Sequence, residues 1–188
     1  MNSDSVQNAA VGKWASIAPE VRPGNAKNAD GTLKAFYLTR KFTYLEDNRF
    51  GLVVTNLADP YGKVPLAEMS ISGHIEWLGE HPIAPGAQKV NFSADDEYRV
   101  TALAQGFADI LNQYTKGFDA WKVGESQSIL NKAFPPFGLA NGQIFKEYDL
   151  IYVTAGMMFW GARNVDGRGF DTEANRPTNL QIPMIRQG

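Results

Sequence analysis

Residues 33–45, LKAFYLTRKFTYL, decide the fold of this chain, because they read as one long β-strand. Aromatic and β-branched residues recur there at a period of two, and neither Gly nor Pro interrupts them. One face of the predicted strand carries four large apolar side chains and one cation: Phe36, Leu38, Arg40, Phe42 and Tyr44. The rest of the chain is interpreted outward from this strand.

Arg40 is the anomaly on that face. A guanidinium keeps its proton, so burying it requires a carboxylate, carbonyl groups or an anionic ligand. In the more ordinary interpretation, Arg40 reaches water along its stem or pairs with a structural acid such as Glu20. In the other, this face lines a cavity and Arg40 is one of its few polar anchors.

Composition predicts one folded, soluble domain. The 188 residues suffice for one real core, and 44% of them are hydrophobic against 20% charged. The 18 Lys and Arg nearly balance the 20 Asp and Glu, which predicts no binding to nucleic acid or to an anionic membrane surface. No apolar run approaches the ~20 residues of a membrane-spanning helix.

Cysteine is absent and histidine occurs twice, as His74 and His81. Disulfides, thiolate catalysis, sulfur-ligated metals and histidine-rich metal sites are therefore excluded. The H-E-x-x-H, P-loop and G-x-G-x-x-G signatures do not occur either. The sequence predicts no cofactor and no metal.

The N-terminal residues 1–10, MNSDSVQNAA, predict a disordered tail, and residues 11–188 predict a single β-barrel domain. No signal peptide is visible, so the sequence as given predicts a cytoplasmic protein, or an exported one if a signal peptide was removed. A first strand is predicted at residues 11–17 around Trp14. Its Gly-x-Trp opening also begins many lipocalin-like barrels, in which the indole plugs one end.

After a flexible turn region at residues 24–31 and the long strand, residues 50–57 predict a strand and residues 59–63 a turn. Residues 66–78 predict the next strand. Its polar face, with Glu68, His74 and Glu76, meets water in an ordinary sheet. In a small barrel the same face can point into the lumen and offer acid–base chemistry.

Further short strands are predicted at residues 87–92, 98–101, 121–130, 143–153, 157–163 and 178–186. From residue 102 the apolar period becomes helical, which predicts one amphipathic α-helix that packs on the barrel and stops near Gly117. The predicted fold class is mainly β: an antiparallel lipocalin- or calycin-like β-barrel or half-barrel with one α-helix. Such a wall is filled by side chains or holds one small ligand.

Six ordered blocks carry a family resemblance. They are W-x-x-x-x-x-E-V-R-P-G (residues 14–24), F-Y-L-T-R-K-F-T-Y (36–44), D-A-W-K-V-G (119–124), E-Y-D-L-I-Y-V (147–153), G-A-R-x-x-D-G (161–167) and R-P-T-N-L-Q-I-P-M (176–184). Together they resemble the adenomatosis-polyposis-coli-down-regulated (APCDD) domain family of secreted, membrane-anchored Wnt inhibitors. The resemblance implies an antiparallel barrel-like domain that shelters a lipid. The matching residues are Glu20, Arg22, Pro23, Arg40, Trp121, Gly124, Arg163, Arg176 and Pro177.

The chain departs from that family in its cysteines and in its domain number. The family's cysteine before Glu-Val-Arg-Pro is Pro19 here, and its last cysteine is replaced near Gln187. The animal proteins have two such domains and an anchor, whereas one domain is predicted here. These departures argue against a Wnt-related role and indicate a single-domain, cysteine-free relative, with a bacterial source as one option.

Three functional hypotheses follow. In the first, the barrel binds a hydrophobic small molecule or a lipid acyl chain. Arg40 would lie near its head group, and the candidate walls are Phe36, Leu38, Phe42, Tyr44, Met157, Phe159 and Trp160. For any one of these residues, simple filling of the core is the ordinary alternative.

In the second hypothesis the same cavity belongs to an enzyme, a cyclase or isomerase of a polyketide- or terpenoid-like substrate. His74, Glu76 or Glu68 would move the proton, and Arg40 or a tyrosine hydroxyl would hold a developing oxyanion. This requires the polar face of residues 66–78 to point inward. A third hypothesis, a protein-interaction domain acting through residues 164–176, has no supporting sequence feature.

Overall fold

Ten β-strands and two α-helices make up the part of the chain that the structure, a computed structural model, describes. That part is residues 3–188, of which residues 3, 4 and 25 are described by their backbone alone. The strands are β1 Gly12–Ser16, β2 Glu20–Lys27, β3 Leu33–Tyr44, β4 Arg49–Leu57, β5 Pro65–Glu80, β6 Gln88–Ala102, β7 Ser126–Ser128, β8 Lys146–Thr154, β9 Met157–Trp160 and β10 Met184–Arg186. The helices are α1 Ser3–Ala10 and α2 Gln105–Tyr114.

Eight of the strands close into an antiparallel ring, in the order β1-β10-β9-β8-β6-β5-β4-β3, with β3 returning to β1. The other two lie beside it, β2 on β3 and β7 on β6. Every pairing is antiparallel. The predicted mainly-β antiparallel barrel is therefore confirmed at that level.

β3 is the strand that the sequence predicted, and it joins three neighbours. It pairs with β4 along one edge, whereas its other edge pairs first with β2 and then with β1. Its predicted apolar face does point inward: Leu38, Arg40, Phe42 and Tyr44 are buried and Phe36 is partly buried. Because β1 and β2 share this edge, Glu20 at the start of β2 lies opposite Leu38.

Five rings fill one level of the barrel interior: Phe42, Tyr44, Phe50, Phe92 and Trp160, here called the aromatic layer. Phe42 stacks on Tyr44 with ring centroids 4.3 Å apart, and Trp160 stacks on Phe92 at 4.9 Å. Phe42 also meets the edge of Trp160 at 4.5 Å. Such offset and edge contacts stabilise beyond the burial of area, so this level of the barrel is packed.

The prediction of a disordered tail is wrong for residues 3–10, which form α1; residues 1 and 2 lie outside the described residues. Val6 and Ala10 of α1 are each 1% exposed, and the Ala10 carbonyl accepts a hydrogen bond of 2.7 Å from Trp14 Nε1. α1 contacts β5 and β8. Tertiary burial of two apolar side chains therefore stabilises a helix too short to form alone.

Arg186 of β10 holds α1 against the barrel. Its guanidinium lies 4.4 Å from the centre of the Trp14 ring and donates to the carbonyls of Ala9 (2.6 Å) and Val11 (2.8 Å). These contacts satisfy carbonyls at the C-terminus of α1 with a cation, the charge that this end of a helix favours. The result is one closed end of the barrel.

Three other local predictions need correction. The turn predicted at residues 24–31 is partly strand, because β2 continues through Lys27 with a register shift after Pro23. The two strands predicted at residues 87–92 and 98–101 are one continuous strand, β6. Of the strand predicted at residues 121–130, three residues form β7.

The helix predicted after residue 102 is α2, with Ala108 and Leu111 buried. Ile110 and Tyr114, which the helical period also assigned to the packed stripe, are 48% and 59% exposed. Neither helix of the described chain has the length and apolar character needed to cross a membrane.

The packing of α1 gives a stability prediction. Val6→Ala removes two buried methyl groups, so we expect the free energy of unfolding to fall by about 2 kcal/mol. Asn8→Ala, on the exposed side of the same helix, is the control and should change it by less than about 0.5 kcal/mol. Urea unfolding of both variants measures the difference. Equal, small effects would mean that α1 is not docked in solution.

Candidate functional site

A cavity of about 710 Å³ lies inside the barrel, next to the aromatic layer and on the side away from α1. Its walls are mainly apolar and come from the inward faces of β3 to β6: Leu38, Leu52, Val54, Met69, Ile71 and Ala94. Phe50, Phe92 and Trp160 of the aromatic layer form its floor. Residues 135–138, a short 3-10 helix (Pro135–Phe137) with the glycine that ends it, and the loop residues 169–171 complete the lining.

Three arginines and a glutamate give the cavity one charged region. Arg22 of β2, Arg40 of β3 and Arg163, which follows β9, line the cavity and are here called the basic cluster. Glu147 of β8 lines it beside them. An apolar pocket with a few convergent polar groups is the usual form of a small-molecule site.

Glu20 anchors two members of the basic cluster from behind the cavity wall. Its Oε1 accepts from Arg40 Nε at 2.8 Å, and its Oε2 accepts from Arg22 Nε at 3.2 Å and from Nη2 at 3.1 Å. Glu20 is 2% exposed, Arg40 4% and Arg22 6%. The predicted pairing of Arg40 with Glu20 is confirmed, and the same arginine also lines a cavity, so both interpretations of Arg40 hold together.

Aromatic rings fix the orientation of these guanidinium groups. The Arg40 guanidinium carbon lies 4.0 Å from the centre of the Trp160 ring, and that of Arg22 lies 5.4 Å from the centre of Phe170. Among residues 5–24 and 26–188, whose side chains the structure describes, the Arg40 guanidinium makes one hydrogen bond, from Nε to Glu20, and its two terminal nitrogens have no acceptor. Arg40 is therefore held in place while its terminal N–H groups stay free to donate to a ligand.

Arg163 is placed by its own loop. Its Nε and Nη2 donate to the Gly167 carbonyl at 3.0 and 2.7 Å, and its guanidinium carbon lies 5.5 Å from the centre of the Phe36 ring. Burial and the nearby Arg22 charge lower the pKa of Arg163. The lowered pKa reflects like charges held close together in a partly buried place, which an anion would relieve.

Two carboxyl groups share the inward face of β8, since Glu147 and Asp149 are two residues apart. Asp149 is fully buried; its Oδ1 accepts from Leu150 N (2.7 Å) and Gly161 N (2.9 Å), while its Oδ2 has no partner among the described residues. Gly161 permits this approach, because a Cβ there would overlap Asp149 Oδ1 and the Pro177 ring.

Both carboxyl groups hold their protons more tightly than usual. Burial, followed by the charge of Glu147, raises the pKa of Asp149 to about 7. Burial also raises the pKa of Glu147, although the charges of Arg22 and Arg40 oppose the shift. This pair therefore titrates closer to neutral pH than ordinary carboxyl groups do.

The structure separates the predicted binding residues into three groups. Phe36, Leu38, Arg40 and Trp160 line the cavity as predicted. Phe42 and Tyr44 are buried in the aromatic layer and do not line it.

The prediction is wrong for Met157 and Phe159. Alternation along β9 turns Met158 and Trp160 inward and leaves Met157 and Phe159 on the outer face, where Phe159 packs 6.0 Å from the Tyr152 ring. Phe159 and Trp160 are sequence neighbours in one strand, so they could not both have faced the cavity.

The three residues proposed for catalysis lie outside the barrel. β5 points Ala67, Met69 and Ile71 inward, which leaves Glu68, His74 and Glu76 on the outer face. His74 is exposed and bonds Asp95 Oδ1 at 2.9 Å, a contact that raises the pKa of His74, while Glu76 accepts from Asn91. The enzymatic hypothesis required this face to point inward, and the structure removes the groups on which it relied.

Compared with models of protein families and with curated proteins, the chain matches none. The resemblance to the APCDD family therefore stays a prediction. Four of the charged residues on which it was based, Glu20, Arg22, Arg40 and Arg163, meet at the cavity.

The ion pairs of Glu20 give a prediction. Glu20→Gln leaves Arg22 and Arg40 buried without the carboxylate that they share, so we expect the free energy of unfolding to fall by about 3–5 kcal/mol. Glu68→Gln, on the outer face of β5, is the matched control and should change it by less than about 0.5 kcal/mol. Urea unfolding measures both. A loss below 1 kcal/mol for Glu20→Gln, on the order of a surface pair, would contradict a buried ion triad.

The pKa of Asp149 predicts a pH dependence of stability. Its folded-state pKa of about 7 exceeds the unfolded value of about 4, so the folded protein binds the extra proton between these values. Stability should therefore fall as pH rises through that window and level off above it. Asp149→Asn keeps the Oδ1 acceptor and removes the titration. Relative to this variant, we expect the wild type to lose on the order of a few kcal/mol between about pH 4 and pH 7. If the free energy of unfolding of the wild type and of Asp149→Asn changed equally with pH, the raised pKa of Asp149 would be contradicted.

Proposed function

We propose that this protein binds a hydrophobic small molecule or a lipid acyl chain inside its barrel. The observation that carries the proposal is the cavity of about 710 Å³, apolar along its walls and charged in one region. Its size falls within the ~300–1,000 Å³ typical of pockets that enclose one small ligand. An eight-stranded barrel is wide enough to hold one such molecule when side chains do not fill it.

The asymmetry of the barrel supports this proposal. The aromatic layer and α1 occupy one end, and the inward side chains at the other end do not meet across the lumen. We propose further that the barrel is calycin-like, because the indole of the Gly12-x-Trp14 opening is buried at the closed end. The resemblance to lipid-sheltering APCDD domains adds support, since four of its five charged positions, Glu20, Arg22, Arg40 and Arg163, gather at the cavity.

Adjacent residues of β4 provide a test. Val54 lines the cavity, whereas Val53 faces outward and pairs with Lys41 and Ser70. Val54→Trp should fill part of the cavity and weaken binding of a fluorescent fatty acid by roughly tenfold or more, a change of about 1.4 kcal/mol. Val53→Trp adds the same side chain outside the barrel and should leave the affinity unchanged. Fluorescence titration of the three proteins measures the difference.

Native mass spectrometry of protein purified from its host provides an independent readout, because a tightly held lipid should appear as added mass. Absence of a co-purified lipid together with no binding of the fluorescent fatty acid would overturn the proposed function. Equal weakening by Val53→Trp and Val54→Trp would place the bound probe on the surface and not in the cavity.

A further inference from the structure

We propose that the ligand is a monoanionic amphiphile whose carboxylate is held by the basic cluster, and that Glu147 competes with this carboxylate for the same guanidinium groups. This inference rests on the proposed function, since it names the chemical class of the molecule in the cavity. It adds a head group of defined charge and a means of controlling affinity by protonation.

The charges around the cavity leave room for an anion. Arg22, Arg40 and Arg163 supply three positive charges, and Glu20 neutralises one of them. The groups facing Glu147 from the surrounding elements are Glu20 and Arg22 on β2, Arg40 on β3, Asp149 on β8, Arg163 after β9, and Lys146 and Asp171 on the exposed rim. Lys146 and Asp171 carry opposite charges and are exposed to solvent, so their charges offset each other.

Glu147 and Asp149 remain to balance the two uncompensated positive charges, and burial raises the pKa of both. Near neutral pH they therefore carry less than the two negative charges that full ionisation would give. A negatively charged head group would supply the missing charge. A neutral ligand would leave the guanidinium donors of Arg40 unpaired in an apolar enclosure, which is unfavourable.

The geometry of the basic cluster suits a carboxylate. The Arg40 guanidinium carbon lies 4.0 Å from the centre of the Trp160 ring, and its two terminal nitrogens have no protein acceptor among the described side chains, so donors remain for a ligand. Guanidinium groups bind carboxylates through such paired donors. Because Glu147 and Asp149 occupy the same region, a head group with two negative charges would meet like charges there.

Glu147 supplies the competition. It lines the cavity beside Arg22 and Arg40, and its carboxyl group has no hydrogen-bond partner among the side chains and backbone that the structure describes. When ionised, its carboxylate attracts the guanidinium groups that the ligand needs. When protonated, it releases them and can donate its own O–H to the ligand. Affinity for a carboxylate should therefore rise when Glu147 takes up its proton.

Matched ligands of one chain length test the head group. Isothermal titration with dodecanoic acid, dodecan-1-ol and dodecyl phosphate at pH 7 should give an acid at least tenfold tighter than the alcohol. Equal affinity for acid and alcohol would overturn this inference and leave the proposed function standing. Binding of none of the three would overturn the proposed function itself. A phosphate that binds more tightly than the acid would overturn the assignment of a single negative charge.

Two substitutions of opposite expected sign test the mechanism. Arg163→Gln should weaken dodecanoic acid about tenfold and leave dodecan-1-ol unchanged. Glu147→Gln removes the competing negative charge and should strengthen dodecanoic acid several-fold, with dodecan-1-ol unchanged. Arg99→Gln removes an equal charge from the outer face and should affect neither ligand. Parallel changes in acid and alcohol affinity, or no gain in acid affinity from Glu147→Gln, would overturn the proposal.

Discussion

The shared carboxylate of Glu20 is the interaction on which the rest of the site depends. Burying two guanidinium groups side by side in a barrel wall is costly unless hydrogen-bond acceptors, and best a shared carboxylate, lie within reach of both. Glu20 meets this requirement from the first residue of β2, so the strand that lies outside the closed ring also completes the cavity. Each arginine gives Glu20 part of its donor set, and Arg40, whose terminal nitrogens donate no bond to Glu20, also lines the cavity.

The aromatic layer explains why the barrel is filled at one level and hollow at another. Phe42 and Tyr44 lie in the C-terminal half of β3, where β1, α1 and Arg186 close the barrel. At the level of the N-terminal half of β3, the inward side chains of β4 and β5 are smaller or branched, such as Val54 and Ile71. They do not span the lumen. The large rings thus form a floor, and the volume above them is left to a ligand.

Period-two alternation allowed β3, its inward face and the pairing of Arg40 with Glu20 to be predicted, because these follow from local pattern and the cost of burying charge. α1 was missed, since the segment is polar overall and its helix depends on the burial of Val6 and Ala10. β2 was not predicted, because Pro23 resembles a turn signal although proline is tolerated in an edge strand.

The remaining site residues were missed for a different reason. Glu147 and Asp149 alternate with Tyr148 as an ordinary half-exposed strand would, so nothing local shows that the polar face is the inner one. For His74 the same local pattern left both faces open, and the outward one is correct; the choice of face is made by the whole ring and not by one strand. The protein loses stability by burying carboxyl groups with raised pKa values and by leaving volume unfilled. Function is expected at sites that depart in this way from stable packing. Their coincidence beside three arginines is the physical reason to look for the ligand there.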